Sequence, residues 1–182
     1  MDERVAWLGA MAAREGDRVT WHRVAKCDPV CAALADRHYS RRTVGSLHFM
    51  PPGQTIVLRA PSAVWGWWRP HPSSGIKSLN GLDGWTCTIF RNESRELSSS
   101  MILEAEAFIE ECGPDGLITY VADAKIRSSN PGYCFKVAGY RVTGRSQDNR
   151  KTLLQKPWAG AVGARALAGK QELLFGAKGI AK

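Results

Sequence analysis

The stretch that decides the fold runs from Trp85 to Cys112 and reads WTCTIFRNESRELSSSMILEAEAFIEEC. Its first part, Trp85 to Phe90, is rich in β-forming residues and predicts a strand. From Leu97 onward the apolar residues recur with the period of an α-helix. They are Leu97, Met101, Ala105, Phe108 and Cys112. A strand followed by an amphipathic helix predicts a sheet that is covered by helices.

The segments on either side of this unit predict further strands and helices. Upstream, the pattern predicts a strand over Arg18 to Lys26, a helix over Pro29 to His38 and strands over Gln54 to Arg59 and Val64 to Trp68. Downstream, it predicts a strand over Leu117 to Ala122, a short helix from Asn130 to Gly139 and strands over Tyr140 to Gly144 and Thr152 to Leu154. The order β, α, β, β, β, α, β, α, β, β indicates an α/β or α+β fold.

Length and composition fit a single globular domain. The chain has 182 residues, of which 44% are hydrophobic and 23% are charged. This composition supports a buried core and excludes a fully disordered chain. We expect an N-terminal tail over residues 1–17, a domain over residues 18–156 and a basic C-terminal tail over residues 157–182.

The sequence predicts a protein of the cytoplasm. No apolar run approaches the roughly 20 residues that a membrane-spanning helix needs, and the stretch Val5 to Ala13 follows a net-acidic start, unlike a signal peptide. The five cysteines are scattered and odd in number, which favours reduced thiols. Cys27 and Cys31 have a C-x3-C spacing, but no second pair follows at a zinc-site distance, so we expect no metal.

The positive charge is concentrated at the C-terminal end. The chain carries a net charge of +8, and residues 141–182 hold nine basic side chains against two acidic ones, which supplies +7 of it. An excess of this kind is typical of a protein that binds a polyanion such as DNA. The alternative is a basic tail that only aids solubility.

Several motifs resemble a known superfamily. The segment NPGYCFKVAGY, Asn130 to Tyr140, has an Asn at the start of a helix, an aromatic at Phe135 and the pair Gly139-Tyr140 at its end. Together with the preceding strand, turn and helix, it resembles the core of the GCN5-related N-acetyltransferase (GNAT) superfamily, over roughly residues 18–156. Three strings resemble most the phage Mom-type DNA-modification branch: Phe90-Arg91-Asn92-Glu93, Leu97-Ser98-Ser99 and Ser129-Asn130-Pro131-Gly132.

The resemblance implies both a fold and a reaction. The implied fold is a mixed, mostly antiparallel sheet of about six to seven strands with helices on both faces. The implied reaction transfers a group from acetyl-CoA or another acyl-CoA to an amine, in the Mom-type branch the exocyclic amine of a DNA base such as adenine N6. The matching positions Arg91, Asp123 and Tyr133 are then expected to be catalytic. The alternatives are a loop-capping carboxylate for Asp123 and a packed helix aromatic for Tyr133.

The turn from Asn92 to Ser100 is the candidate donor site. Backbone N–H groups at a helix N-terminus are unpaired and lie at the positive end of the helix dipole, so they suit the pyrophosphate of coenzyme A. We expect donor contacts from this turn and from the later helix, at Asn92, Glu93, Leu97, Ser98, Ser99, Asn130 and Phe135. Serines stand where these transferases usually have a Gly-rich turn, and the alternative is that they only cap the helix.

The loop after the first helix is the candidate acceptor site. In a GNAT-like arrangement this loop covers the cleft, which implies substrate contacts from His38, Tyr39, Arg41 and Arg42. His48 is a further candidate, because a neutral imidazole is available near physiological pH. A lone histidine in a loop is more often a surface residue.

Three tryptophans lie close together in the sequence near basic residues. Trp65, Trp67 and Trp68 have a composition around them that suits stacking on an unpaired base. Core packing is the favoured interpretation, because the tryptophans fall on a predicted strand.

Two other functions stay open on the sequence alone. One is an acyl-CoA-dependent N-acyltransferase that acts on a protein or a small-molecule amine. The other is a non-catalytic DNA-binding protein that keeps a GNAT-like shell. A duplex base must leave the stack before its amino group can react, so an enzyme acting on DNA needs a basic rim and an aromatic stack, and a small-molecule enzyme needs neither.

Overall fold

A seven-stranded sheet forms the body of the protein. The computed structural model describes residues 21–75 and 79–159. The strands are β1 (His22–Val24), β2 (Gln54–Ala60), β3 (Ala63–Arg69), β4 (Gly84–Asn92), β5 (Gly116–Val121), β6 (Arg141–Arg145) and β7 (Thr152–Lys156). The helices are α1 (Pro29–Asp36), α2 (Ser98–Glu106) and α3 (Tyr133–Val137), with 3-10 turns at Pro72–Ser74, Leu79–Gly81 and Asp123–Lys125. The predicted order of strands and helices is confirmed.

The sheet is mixed and mostly antiparallel. Its strand order is β1-β2-β3-β4-β5-β7-β6. Neighbouring strands are antiparallel except β4 and β5, which run parallel. Helix α2 lies between β4 and β5 in the chain and supplies the crossover that a parallel pair requires. The predicted fold class, an α/β fold with about seven strands, is therefore confirmed.

Helices cover both faces of the sheet. On one face, α1 packs Leu34 against Val64 of β3. On the other face, α2 and α3 pack Met101 and Phe135 with Trp65 in the larger core. Side chains alternate between the two faces of a strand, so the neighbours Val64 and Trp65 belong to different cores.

Three tryptophans fix helix α2 to the sheet. Each donates its indole N–H to a main-chain carbonyl of α2 or of the segment that follows it. The pairs are Trp21 with Met101 (2.9 Å), Trp67 with Ala105 (3.0 Å) and Trp85 with Glu111 (2.9 Å). A buried indole N–H without a partner is costly, so these three bonds favour the observed position of α2 against the sheet.

The tryptophans of β3 belong to the core. Trp65 and Trp67 are fully buried, and Trp68 is 5% exposed. Trp65 contacts the rings of Trp67 and Phe90, each at a centroid distance of 4.9 Å. The core interpretation is confirmed, because rings buried in this way offer no face for an unpaired base.

Helix α2 is shorter than the predicted segment from Leu97 to Cys112. It ends at Glu106, after which the N–H groups of Ala107 and Phe108 bond to carbonyls three residues earlier, at 3.2 and 3.4 Å. This tighter turn brings Ile109 into the core, where it is fully buried. Apolar spacing alone does not distinguish a continued helix from such a turn.

Helix α3 begins three residues later than the predicted start at Asn130. Gly132 precedes the helix with a φ of +72°, a left-handed conformation that ends any helical path through Pro131. Helix α3 therefore begins at Tyr133. The turn before it projects over the sheet next to β5, because a Cβ at Gly132 would lie 3.1 Å from Val121.

A buried ion pair joins α2 to strand β7. Lys156 Nζ lies 2.6 Å from Glu106 Oε2, and the side chains are 9% and 2% exposed. Lys156 Nζ also lies 5.7 Å from the ring centroid of Tyr140. Burial raises the pKa of Glu106, against the opposite effect of the Lys156 ammonium. Each of these charges depends on its partner, because an unpaired charge in the core is very costly.

The predicted tails lie mostly outside the described residues. This applies to the whole predicted N-terminal tail, residues 1–17, and to residues 160–182 of the predicted C-terminal tail. The predicted strand from Arg18 to Lys26 is described from Trp21 onward and forms β1 at His22–Val24.

Candidate active site

The sheet opens between its two parallel strands. Strands β4 and β5 pair from Gly84 with Gly116 to Cys87 with Thr119. Beyond that last pair, β4 continues to Asn92 alongside β3, and β5 continues alongside β7. The two strands therefore diverge, and their facing edges lack a strand partner.

A β-bulge lies at the start of this opening. On β3, Trp67 pairs with Cys87 and Gly66 pairs with Ile89, so Thr88 has no partner there. Thr88 also follows the last pair with β5, and its hydroxyl donates to the Gly66 carbonyl at 3.3 Å. A bulge leaves its extra residue without a ladder partner on the neighbouring strand, so Thr88 lies at the point where the opening begins.

A cavity of about 260 Å³ occupies the opening. Residues 87–90 of β4 line one side, residues 119–121 of β5 line the other, and the segment from Ile126 to Phe135 closes it. The lining is mainly apolar, and the exposed ring of Tyr133 lies at its edge. An apolar cleft with a few polar groups is typical of a small-molecule site.

A second cavity of about 520 Å³ adjoins the first. The two cavities share lining residues His38, Tyr39, Cys87, Thr88, Ile89 and Tyr120. The larger one is also lined by the cationic side chains Arg41, Arg42 and Lys151 and by His48, and no carboxylate is among the described residues that line it. An anionic ligand therefore suits this cavity.

His38 and Tyr39 lie where the two cavities meet. Their rings are 4.2 Å apart, and His38 Nδ1 lies 2.7 Å from Ser40 Oγ. Burial, and then the positive charge of Arg91, lowers the pKa of His38 to about 4. His38 is therefore a neutral imidazole at physiological pH, which is the form that accepts a proton.

The phenol of Tyr39 reaches the end of β5. Burial raises its pKa, and a hydrogen bond with the backbone of Ala122 opposes this effect. Tyr39 thus connects the loop after α1 with the strand on the far side of the opening. The loop after α1 thus lines the cleft, and its role on the acceptor side stays a prediction.

Arg91 lies in an ion-pair network beside the cleft. Its Nε donates to Glu93 Oε1 at 2.5 Å, and its Nη1 donates to the Arg37 carbonyl. Arg37 binds the same carboxylate through two bonds of 2.7 Å. Hydrogen bonds from Arg37 and Arg91 lower the pKa of Glu93 to about 2. Arg91 lines neither cavity, so the structure does not bring it together with Tyr133.

Asp123 lies at the start of the turn after β5. Its Oδ2 accepts a 2.7 Å hydrogen bond from the Thr152 hydroxyl and lies 3.5 Å from Arg145 Nη2. It is not among the residues that line either cavity. Its carboxylate therefore ties the turn after β5 to Thr152 of β7, and it also acts electrostatically on Tyr39.

The turn before α2 is organised by Asn92. Its side-chain oxygen accepts from the N–H and the hydroxyl of Ser94, at 2.8 and 2.6 Å, and its amide donates to Glu96 O and Ser98 Oγ, at 2.8 and 3.2 Å. Asn92 therefore shapes the turn, and its side chain is already bonded. Among the candidate donor residues of this turn, it has a structural role.

The N-terminus of α2 has no side-chain cap. Leu97 occupies the capping position and is 53% exposed, while Ser99 is 7% exposed. The alternative that the serines cap this helix is wrong, since no side-chain oxygen accepts from the first-turn N–H groups. Those groups are free to bind an anion.

Asn130 and Phe135 lie in the segment that closes the smaller cavity. The Asn130 side chain accepts from Lys136 Nζ at 2.5 Å. Phe135 is 7% exposed and packs edge-on against Tyr140, with ring centroids 5.3 Å apart. Both residues line the cavity, and Phe135 forms its floor as part of the core.

Arg41 holds its own loop together. Its Nε donates to Asp36 Oδ1 at 2.6 Å, and its other nitrogens donate to the carbonyls of Ser46 and His48. The Arg41 side chain is only 6% exposed. Arg42 and His48 are exposed at the larger cavity, so Arg42 is better placed than Arg41 to contact a substrate.

Sequence reasoning missed several residues of the cleft. Cys87, Cys134, Tyr120 and Lys151 line one or both cavities. Burial raises the pKa of both cysteines, so they are protonated, apolar lining at neutral pH rather than nucleophiles. The parallel pairing of β4 with β5 would have pointed to Cys87 and Tyr120, but it has no local sequence signal.

Comparison with protein-family models, curated proteins and solved structures gives no match to this chain. The geometry of the cleft is therefore the basis for proposing a function. Within the described ranges, no helix is long and apolar enough to cross a membrane. The same ranges contain no cluster of three or more metal-ligating side chains.

Proposed function

We propose that the protein is a GNAT-type transferase that moves an acyl group from acetyl-CoA or another acyl-CoA to the exocyclic amine of a DNA base, most simply adenine N6. The observation that carries the proposal is the divergence of β4 and β5 beyond Cys87 and Thr119. One cavity lies inside this opening, and a cationic cavity adjoins it.

The opening suits an extended donor that carries amide groups. The ladder between β4 and β5 ends at Cys87 and Thr119, and Thr88 has no partner in the ladder with β3. An extended ligand binds such an edge as an added strand does, through main-chain hydrogen bonds. The pantetheine arm of CoA has suitable amides, and the uncapped N-terminus of α2 supports binding of its pyrophosphate.

The adjoining cavity suits an acceptor that carries phosphate. Arg42, Lys151 and His48 are exposed around it, and Phe49 and Tyr120 add aromatic surface to its lining. A flipped nucleotide needs this combination, because its base requires apolar or aromatic contacts and its phosphates require cations. A cationic lining repels a protonated amine, which disfavours small amines and lysine side chains.

The proposed chemistry needs one proton acceptor and one proton donor. Attack by the amine forms a C–N bond and breaks the acyl C–S bond, so the amine loses a proton and the thiolate gains one. His38 is the proposed acceptor and Tyr133 the proposed donor. Main-chain N–H groups at the bulge of Thr88 are the proposed partners of the developing oxyanion.

The weak basicity of His38 favours the exocyclic amine of a nucleobase over an aliphatic amine as the acceptor. A lysine-type amine has a pKa near 10.4, so it must lose a proton before it attacks. The exocyclic amine of a base is neutral at physiological pH and gives up its proton only as the C–N bond forms. A neutral imidazole with a pKa of about 4 can accept the proton that the nucleobase amine gives up as the C–N bond forms. It is too weak a base to deprotonate a lysine-type ammonium group.

Arg91 and Asp123 are proposed as positioning residues. Arg91 binds Glu93 and influences the protonation of His38. Asp123 ties the turn after β5 to Thr152 of β7. In these roles Arg91 and Asp123 hold neighbouring cleft residues in position, and they do not contact the reacting atoms themselves.

Mass spectrometry of nucleosides tests the proposal in cells. DNA from cells that express the protein is digested and compared with DNA from cells that express a Tyr133→Phe variant. We expect a deoxyadenosine that is heavier by one acyl group only with the wild-type protein. Unmodified DNA together with acylated protein or polyamine would favour the alternative N-acyltransferase, and DNA binding without any acyl transfer would favour the non-catalytic alternative.

A further inference from the structure

The loop at residues 43–48 exposes two aliphatic side chains beside the larger cavity. Val44 is 71% exposed and Leu47 is 49% exposed. Their neighbours Thr43 and His48 line the cavity itself. These two side chains lie together at the mouth of a cationic cavity, where a ligand of that cavity can contact both of them.

Hydrogen bonds hold the base of this loop in one shape. Asp36 of α1 accepts from Arg41 Nε at 2.6 Å and from Gly45 N–H at 2.8 Å. Arg41 also donates to the Ser46 and His48 carbonyls. These bonds tie residues 45, 46 and 48 of the loop to Asp36 and Arg41 and define the position of Val44 and Leu47.

The tip of the loop packs against none of the described residues, and its far end is anchored in the core. Gly45 has a φ of +82° and no atom within 4 Å of a Cβ placed on it, so the turn at the tip is set by the backbone and not by packing. At the far end, Phe49 and Met50 pack into the core under α1. The result is a stiff projection with an apolar tip.

The charges around the projection indicate the chemistry of its partner. Arg42 precedes it, His48 follows it, and Lys151 lies on the other side of the cavity. The apolar tip consists of only two side chains, which is far smaller than a stable protein interface. A cationic border around a small apolar tip is complementary to duplex DNA, with phosphates outside and stacked bases inside.

We propose that Val44 and Leu47 form a wedge that enters the base stack of duplex DNA and fills the space of the nucleotide that moves into the larger cavity. This inference rests on the proposed function, since it assumes that the acceptor is a base in DNA. A base that leaves the stack loses its pairing and stacking. An apolar side chain in the vacated space offsets part of that loss.

The test compares transfer rates on duplex and single-stranded DNA. Because a single-stranded base has no stack to leave, the wedge matters only for the duplex. For Val44→Ser combined with Leu47→Ser, we expect the duplex rate to fall about 10- to 100-fold, in keeping with the energy of unstacking one base. The rate on the single strand of the same sequence should stay within about twofold of wild type.

A matched control and a second readout keep the test decisive. Val142 on β6 is 57% exposed and lines neither cavity, so Val142→Ser should leave both rates unchanged. Binding to a duplex with 2-aminopurine at the target position reports base displacement by fluorescence without any transfer. We expect the wild type and Val142→Ser to raise the fluorescence, and the double variant to raise it much less.

The outcomes distinguish a failure of the wedge hypothesis from a failure of the proposed function. Equal loss on duplex and single strand, or no loss on either, would overturn the wedge. Absence of transfer to any DNA would overturn the proposed function, and the fluorescence assay would still decide whether Val44 and Leu47 displace a base. Similar fluorescence with the double variant and the wild type would overturn the wedge in that case too.

Discussion

Cys87 of β4 and Thr119 of β5 form the last pair of the parallel ladder. The next residue on each strand, Thr88 and Tyr120, lines both cavities. The site thus begins where this pairing ends. A parallel pair inside an otherwise antiparallel sheet provides the opening, and the loop after α1 and the segment before α3 close it on its two sides.

Removing the Tyr133 hydroxyl should stop catalysis and leave donor binding intact. The ring is 62% exposed at the smaller cavity, so Tyr133→Phe should not disturb the core. Loss of a general acid typically lowers turnover about 100- to 10,000-fold. We expect this fall in kcat, with CoA affinity from calorimetry within about threefold of wild type. Turnover close to wild type would remove Tyr133 from the mechanism.

The neutrality of His38 is a direct prediction of its environment. Burial and Arg91 lower its pKa to about 4, and NMR titration of the imidazole should give this midpoint instead of the usual value near 6.5. In Arg91→Gln the pKa should rise but stay below 6.5, because burial is the larger cause. A wild-type midpoint near 6.5 would contradict the lowered pKa, which comes from partial burial and from Arg91.

The same shift makes stability depend on pH. The folded pKa lies below the unfolded one, so between about pH 6.5 and pH 4 the unfolded state binds more protons at this site. The free energy of unfolding should therefore fall as the pH falls through this window. His38→Gln should show a shallower fall, measured by urea unfolding at several pH values. Identical slopes in both proteins would assign the pH dependence to other groups.

Breaking the buried ion pair should destabilise the fold strongly. Lys156→Met leaves the Glu106 carboxyl without its partner in a site that is 2% exposed. We expect a loss of about 3 to 5 kcal/mol in the free energy of unfolding. Adding Glu106→Leu should recover most of this loss, since no buried charge remains. If the double variant is no more stable than Lys156→Met, packing rather than charge is responsible.

The exposed cations at the larger cavity should determine part of the salt dependence of DNA binding. If Arg42 and Lys151 each neutralise one phosphate, Arg42→Gln with Lys151→Gln should reduce the slope of log Kd against log salt by about two. Arg23 and Arg141 are exposed on β1 and β6, and their joint replacement by Gln is the matched control. An equal change in both double variants would mean that DNA binds without preference for the cavity.

Local sequence patterns predict the strands and helices but only part of the site. Tyr133, predicted from a motif, and His38, predicted from its place in the loop after the first helix, both line the smaller cavity. Arg91 and Asp123 also fit the motifs, yet their side chains bind Glu93 and Thr152, because a motif specifies chain position and not side-chain partners. Lys151 reaches the cavity from the β6–β7 connection, a contact that only the pairing of β5 with β7 creates.

Transfer of labelled acyl groups in vitro tests the central claim most directly. Purified protein is incubated with isotopically labelled acetyl-CoA and DNA, and the nucleosides are analysed by mass spectrometry. Cys134→Trp should fill the smaller cavity and abolish donor binding, while Cys27→Trp, at an exposed cysteine outside both cavities, is the control for an added indole. We predict labelled deoxyadenosine with the wild type and Cys27→Trp and none with Cys134→Trp, each folded by circular dichroism. Unlabelled nucleosides with the wild type, or equal labelling with Cys134→Trp, would contradict the account.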